Sequence, residues 1–205
     1  MAVLIKICGF TRLEDALDAV ALGADALGFN FWPRSKRYIA PVAARAIIDR
    51  LPPGTRTFGV FVNPTREELL AAIAASGVGT VQLHGDEPPA LCQGLPVPVV
   101  KAIRVRDAHS LAALASYEVS GFLLDSSTAG YGGSGAAFDW SLAAEAAADL
   151  PVWLAGGLTP ENVADAIQLV RPLGVDVASG VESSPGVKDY DKMKRFIEAA
   201  RGAKT

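Results

Sequence analysis

Cysteine is scarce in this chain, which carries two in 205 residues, Cys8 and Cys92. Neither belongs to a CxxC pair or to a Cys/His cluster with zinc spacing, which argues against a disulfide scaffold or thiolate metal site and favours a reducing compartment. His84 likewise has no metal-spaced partners, so no metal site is expected. No stretch approaches the ~18 consecutive apolar residues of a membrane-crossing helix. No Lys/Arg block marks a surface for nucleic acid or anionic lipid. Linkers, low-complexity tracts and breaks in composition are missing as well. A small-molecule partner is what these absences leave, with no nucleic acid and no membrane.

The amino terminus runs straight into Val3-Leu4-Ile5-Lys6-Ile7, too short for a signal peptide and without its small-residue cleavage pattern. A cytoplasmic protein is expected, with this segment as its first strand. Half of the residues are apolar and 20% are charged, the balance of a globular chain that can bury a substantial core. The 19 basic and 22 acidic residues, net −3, are scattered along it.

Short apolar runs alternate with longer amphipathic ones from end to end, the pattern of βαβ architecture. Strands are expected at Leu4–Cys8, Ala26–Asn30, Thr57–Val62, Thr80–His84, Val99–Ile103, Gly121–Asp125, Val152–Ala155 and Val175–Ser179. Their nearly continuous hydrophobicity suits parallel strands covered by helices. Thr11 with Glu14 and Thr65 with Glu68 have capping-box spacing, and Thr159 before Pro160 reads as a third helix start. Leu13, Ala16, Leu17, Val20 and Ala21 follow one helix face, and Gly23 offers a stop. Eight units share the chain at roughly 26 residues each, the compact end of the range for a (βα)₈ barrel. A doubly wound open sheet is the competing arrangement. The reading is an α/β protein, a single (βα)₈ TIM-barrel domain over residues 1–205.

Barrel enzymes place their chemistry at the carboxyl ends of the strands. Two polar residues end apolar strands most sharply, Cys8 in unit one and Asp125 in unit six, and both would open onto one cavity from opposite walls. Position alone leaves Cys8 equally readable as a small buried core residue. To act, its sulfur needs thiolate character, which Lys6, two residues earlier and able to share its face, can favour. Asp125 precedes the polar stretch from Ser126 to Gly135. A carboxyl held in apolar surroundings has its neutral form favoured and can serve as an acid near neutrality, although capping a loop or pairing with a base is the alternative.

Glycines late in the chain form a third constellation. Gly156 and Gly157 follow strand seven, and Ser179 and Gly180 follow strand eight, where barrels commonly bind phosphate through backbone N–H groups. Arg34, Lys36 and Arg37 put positive charge after strand two; one of them can clamp a carboxylate, or all can be surface charge. Gln82 and His84 end strand four, placed to line a pocket or support a loop.

These residues, taken in order, resemble one family over essentially the whole chain: phosphoribosylanthranilate isomerase, of tryptophan biosynthesis. The markers are Lys6-Ile7-Cys8-Gly9, Asp25-Ala26-Leu27-Gly28-Phe29, Ser35-Lys36-Arg37-Tyr38, Gly59-Val60-Phe61-Val62-Asn63, Val81-Gln82-Leu83-His84-Gly85, Leu124-Asp125, Gly132-Gly133-Ser134-Gly135, Gly156-Gly157-Leu158, Asp176-Val177 and Ser179-Gly180-Val181-Glu182. The resemblance implies an Amadori rearrangement of a phosphorylated aminoaldose, without a cofactor, by a monomer or homodimer. It implies Cys8 as general base, Asp125 as general acid and Arg37 on the anthranilate carboxylate. Gln82, His84 and Asp176 would bind substrate, and Gly156, Gly157, Ser179 and Gly180 its phosphate. Ala178 departs from the pattern, since a polar residue is common there, which puts one side-chain contact in doubt. A dual-substrate relative would carry a carboxylate in place of Cys8, and a catalytically silent sugar-phosphate-binding barrel is the rival from outside the enzymes.

Overall fold

A computed structural model describes residues 2–105, 108–126 and 140–203. Eight strands, β1 (Leu4–Cys8), β2 (Ala26–Asn30), β3 (Arg56–Phe61), β4 (Thr80–Leu83), β5 (Val99–Val105), β6 (Gly121–Ser126), β7 (Val152–Leu154) and β8 (Gly174–Val177), pair in parallel in that order. β8 pairs with β1 in register from Leu4 with Gly174 to Ile7 with Val177, which closes the barrel. The helices are α1 (Leu13–Leu22), α2 (Pro41–Ile48), α3 (Arg66–Ser76), α4 (Pro89–Cys92), α5 (Ala108–Leu111), α6 (Trp140–Ala147), α7 (Val163–Val170) and α8 (Tyr190–Gly202). Beyond β8, a short antiparallel hairpin of β9 (Glu182–Ser184) and β10 (Val187–Lys188) precedes α8. The open-sheet alternative is thereby removed. Among the described residues no helix is long and apolar enough to cross a membrane.

The period-two alternation of a strand sorts these side chains. Ile5, Ile7, Leu27, Phe29, Val81 and Leu83 belong to the large core between strands and helices. Ala26, Phe58, Val100, Ala102, Leu123, Trp153 and Ala155 form a second cluster inside the barrel. Trp153 has room there because Gly174 has no side chain, and a Cβ at that position would stand 2.6 Å from the indole. Phe58 meets Trp153 edge-on at 5.6 Å between centroids, worth about 0.5–1.5 kcal/mol beyond the area buried. This plug closes the barrel below the polar strand ends.

Local signals fare unevenly. Thr65 and Glu68 form the full capping box, with Thr65 Oγ1 accepting from Glu68 N and Glu68 Oε2 accepting from Thr65 N. Thr11 does not cap α1: its hydroxyl donates to Gly186 O at 2.6 Å, and Arg12 takes the cap position without a side-chain bond. The buried face of α1 is Asp15, Ala16 and Ala19, rotated from the expected stripe, because Asp15 is drawn in to accept the backbone N–H of Lys188. Thr159 and Pro160 likewise precede a turn, and α7 begins only at Val163. There Asn162 ties the turn down, accepting from Thr159 N and donating to Gly157 O. β3, β4, β7 and β8 also leave the ladder one or two residues before the ends expected for them, where the chain bends into the rim loops.

Candidate active site

The strand ends surround a cavity of about 120 Å³ that opens to solvent at the rim. Its lining includes Cys8, Arg37, Gln82, His84, Asp125 and Asp176, together with Gly156, Gly157 and Ser179. Of the residues expected at the site, only Gly180 is not in the lining: its backbone lies so close to the carbonyl of Leu158 that a side chain would overlap it. Gly180 therefore lets the loops after β7 and β8 touch. Gly156 and Gly157 have φ of 85° and 66°, the left-handed region that glycine occupies without penalty. The Gly132-Gly133-Ser134-Gly135 motif lies outside the described residues.

β1 and β6 stand three strand positions apart round the closed ring, so Cys8 and Asp125 reach the cavity from different walls. Two residues below Cys8, on the same face, the Lys6 ammonium is fully buried and donates to Asp176 Oδ2 at 2.7 Å. Burial opposes its charge, but the carboxylate of Asp176, with a contribution from Cys8, holds the Lys6 pKa above its ordinary value. Burial pushes the Cys8 thiol up; Lys6 pulls it down, Asp176 adds to the rise, and Lys188 pulls it down again, with the net result above the ordinary value. The second oxygen of Asp176 is buried without a hydrogen-bond partner.

Asp125 is buried, but its setting is not the apolar one expected. Its Oδ2 lies 3.1 Å from His84 Nε2, and His84 Nδ1 lies 2.9 Å from Gln82 Nε2. The alternation of β4 puts Gln82 and the residue after the strand, His84, on one inward face. Arg37 is held by Glu182, whose carboxylate accepts from Nε at 2.8 Å and from one terminal nitrogen at 2.6 Å. This pairing raises the Arg37 pKa. Burial pushes Glu182 up, yet Arg37 and Lys188 outweigh it and hold the carboxyl below its usual range. Arg34 and Lys36 line an adjoining depression that shares Trp32, Ser35, Arg37 and Ser179 with the cavity.

Residues 5–199 match the model of one protein family, N-(5′-phosphoribosyl)anthranilate (PRA) isomerase. The chain belongs to this family. It is 48% identical over 206 residues to the N-(5′-phosphoribosyl)anthranilate isomerase of Myxococcus xanthus, covering 98% of this chain and 97% of that protein. The enzyme of Pelobacter propionicus is 51% identical over 198 residues, covering 96% of this chain and 95% of its own length. Among solved structures, phosphoribosylanthranilate isomerase from Thermotoga maritima superimposes with a TM-score of 0.93 at 48% identity, over 98% of this chain and 99% of that one. A second PRA isomerase structure, in complex with reduced 1-(o-carboxyphenylamino)-1-deoxyribulose 5-phosphate, matches at TM-score 0.89 and 45% identity, over 98% and 99% of the two chains.

Two charged groups escaped the sequence reading. Glu182 was visible only as a family marker, and nothing in the sequence singled out its partner Lys188, which belongs to the two-residue strand β10. Lys188 is nevertheless buried, whereas Lys192 and Lys194 a few residues on lie on an amphipathic helix. A lysine in a Gly-Val-Lys-Asp turn has no pattern that separates the two cases. The alternation of Lys6 with Cys8 along β1 was, by contrast, a usable signal.

Proposed function

We propose that this chain catalyses the Amadori rearrangement of N-(5′-phosphoribosyl)anthranilate to 1-(2-carboxyphenylamino)-1-deoxyribulose 5-phosphate, with residues 1–205 as one catalytic domain acting in the cytoplasm. The observation that carries this reading is the opening of Cys8 and Asp125 onto one cavity from different walls of the barrel. A Cys8 in place of a carboxylate argues against the dual-substrate relative. The acid and base together in the cavity argue against a silent barrel. The two cysteines are free, in keeping with a reducing compartment.

In the reaction, the protonated carboxyl of Asp125 gives its proton to the ring oxygen of the sugar. The bond from C1′ to that oxygen breaks, and C1′ becomes a Schiff base to the anthranilate nitrogen. Cys8 then takes the C2′ proton as the thiolate, the form that Lys6 and Lys188 favour against its burial, and the electron pair left behind forms the C1′=C2′ bond of an enolamine. Tautomerisation places the ketone at C2′. The oxidation at C2′ equals the reduction at C1′, so the step balances without a redox partner.

Gln82 and His84 suit the acid. With Gln82 Nε2 donating to Nδ1, His84 carries its proton on Nε2 and donates to ionised Asp125. Turning the amide over puts Gln82 Oε1, now buried without a partner, against Nδ1. The imidazole then accepts from protonated Asp125, so both protonation states of the acid have a satisfied partner. The free oxygen of Asp176 can accept a sugar hydroxyl, Arg37 can hold the anthranilate carboxylate, and the backbone of Gly156, Gly157 and Ser179 can receive the phosphate.

Freshly made N-(5′-phosphoribosyl)anthranilate mixed with the purified protein tests this directly. Anthranilate-derivative fluorescence is expected to fall with turnover. A decay no faster than in buffer alone would overturn the reading.

A further inference from the structure

Lys188 does something the backbone stops doing. The β1–β8 ladder ends at the pair Ile7 and Val177, and the next carbonyl on each strand, Cys8 O and Ala178 O, points to the same ammonium. Lys188 Nζ donates to Cys8 O at 2.5 Å, to Glu182 Oε1 at 2.9 Å and to Ala178 O at 3.4 Å. Its side chain is wholly buried and sits over the ring of Phe10 at 5.5 Å. Asp15 of α1 fixes its backbone N–H. A buried ammonium is costly unless every proton finds an acceptor. Here the three acceptors belong to the strand end bearing the thiol, the start of the loop carrying Ser179, and the carboxylate that grips Arg37.

We propose that Lys188 is a positioning residue, whose ammonium fastens β1 to β8 above their last ladder pair and, through Glu182, sets Cys8, the Ser179 loop and Arg37 at fixed separations from one another. Glu182 carries the second half of the arrangement. It spans from Lys188 to the guanidinium, while the stem of Arg37 lies where a side chain on Gly9 would be, 2.5 Å from a Cβ built there. The roles of base and clamp rest on the proposed isomerase reaction; the fastening itself does not.

Two variants separate the parts. Lys188→Met removes the ammonium and keeps the stem, and the Glu182 charge left behind retains Arg37. Turnover is expected to fall by about 10²-fold, the scale of an ångström-sized misplacement of a reacting group. The charged groups around Cys8 are Lys6 on its own strand, Asp176 on β8, Arg37 after β2 and Lys188 on β10. Losing one cation from that set is expected to move the pH midpoint of Cys8 alkylation by iodoacetamide upward, read on the Cys8 peptide by mass spectrometry. Glu182→Gln, which loosens the guanidinium while keeping an acceptor for Lys188, is expected to raise KM more than it lowers kcat.

Equal effects of the two variants on kcat and KM would mark a merely structural pair and overturn the proposal, as would a Lys188→Met enzyme with unchanged turnover. Should Lys188→Met fail to fold, Lys188→Arg keeps the charge with a longer reach. It is expected to hold the alkylation midpoint while losing turnover, and normal turnover there would count against the proposal. An unmutated protein without isomerase turnover, but with the alkylation shift in Lys188→Met, would sink the reaction and leave the fastening standing.

Discussion

The sulfur of Cys8 occupies the space that a side chain on Gly28 would need: a Cβ built on that β2 glycine stands 2.6 Å from Cys8 Sγ. The two residues are direct partners in the β1–β2 ladder. Gly28 is not itself placed to touch substrate, so Gly28→Ala tests the position of the thiol without changing its chemistry. Turnover is expected to drop by about 10²-fold through displacement of the sulfur, with circular dichroism unchanged. Wild-type kcat in a folded Gly28→Ala protein would show that the sulfur position is unimportant.

Removing the proton-transfer groups themselves is a harsher test. Cys8→Ala and Asp125→Asn are each expected to lower kcat by at least about two orders of magnitude, as general acids and bases typically contribute ~10²–10⁴-fold. Steady-state kinetics on purified variants decides this. Near-normal turnover in either one reassigns its role.

Lys6→Met leaves Asp176 buried opposite an apolar side chain. Breaking a buried pair from one side costs about 3–5 kcal/mol, and urea unfolding at neutral pH should register a loss of that size. A buried carboxylate deprived of its cation takes up a proton more readily. The deficit should therefore shrink as the pH falls. A deficit constant across the acid range would mean that Asp176 is not left charged in the variant.

Glu182 gives the opposite signature in the unmutated protein. Its carboxyl titrates below the ordinary glutamate value because Arg37 and Lys188 outweigh its burial. A depressed carboxylate contributes stability that is complete above the unfolded value and is lost as the pH falls through the folded one. Thermal melts should thus decline in acid over a window that starts at the ordinary glutamate value and runs lower. Glu182→Gln should melt lower at neutral pH and lose less of its stability across that window. Parallel curves for the two proteins would exclude Glu182 as a contributor.

Strand count and the rim position of Cys8, Asp125, Gln82 and His84 were readable because parallel strands carry near-continuous apolar runs that stop at a polar residue; the same runs fit an open sheet, so closure rested on the number of units alone. The Thr65 box was readable because both of its partners are local. Thr11 and Thr159 misled for the same reason: their hydroxyls or their turns are claimed by Gly186 and Asn162, and such competition is invisible at short range. Asp125 was placed at the rim, but the apolar strand end could not single out its pairing with a base from the other readings, since its neighbour His84 is brought in from 41 positions away by the pairing of β4, β5 and β6. Lys188 was missed because its contacts to Cys8 cross 180 positions, and its local sequence is that of any surface turn.

The pairing of Lys6 with Asp176 spans 170 positions and lies across the β1–β8 seam. Closing the ring is what brings the two charges together, since each stands on one of the strands that meet there. Leaving one half of such a buried pair without the other costs about 3–5 kcal/mol, so the register at the seam is tied to charge as well as to the ladder. The same strand that completes the ring also delivers the loop bearing Ser179, so closure of the barrel and that wall of the cavity depend on one pairing.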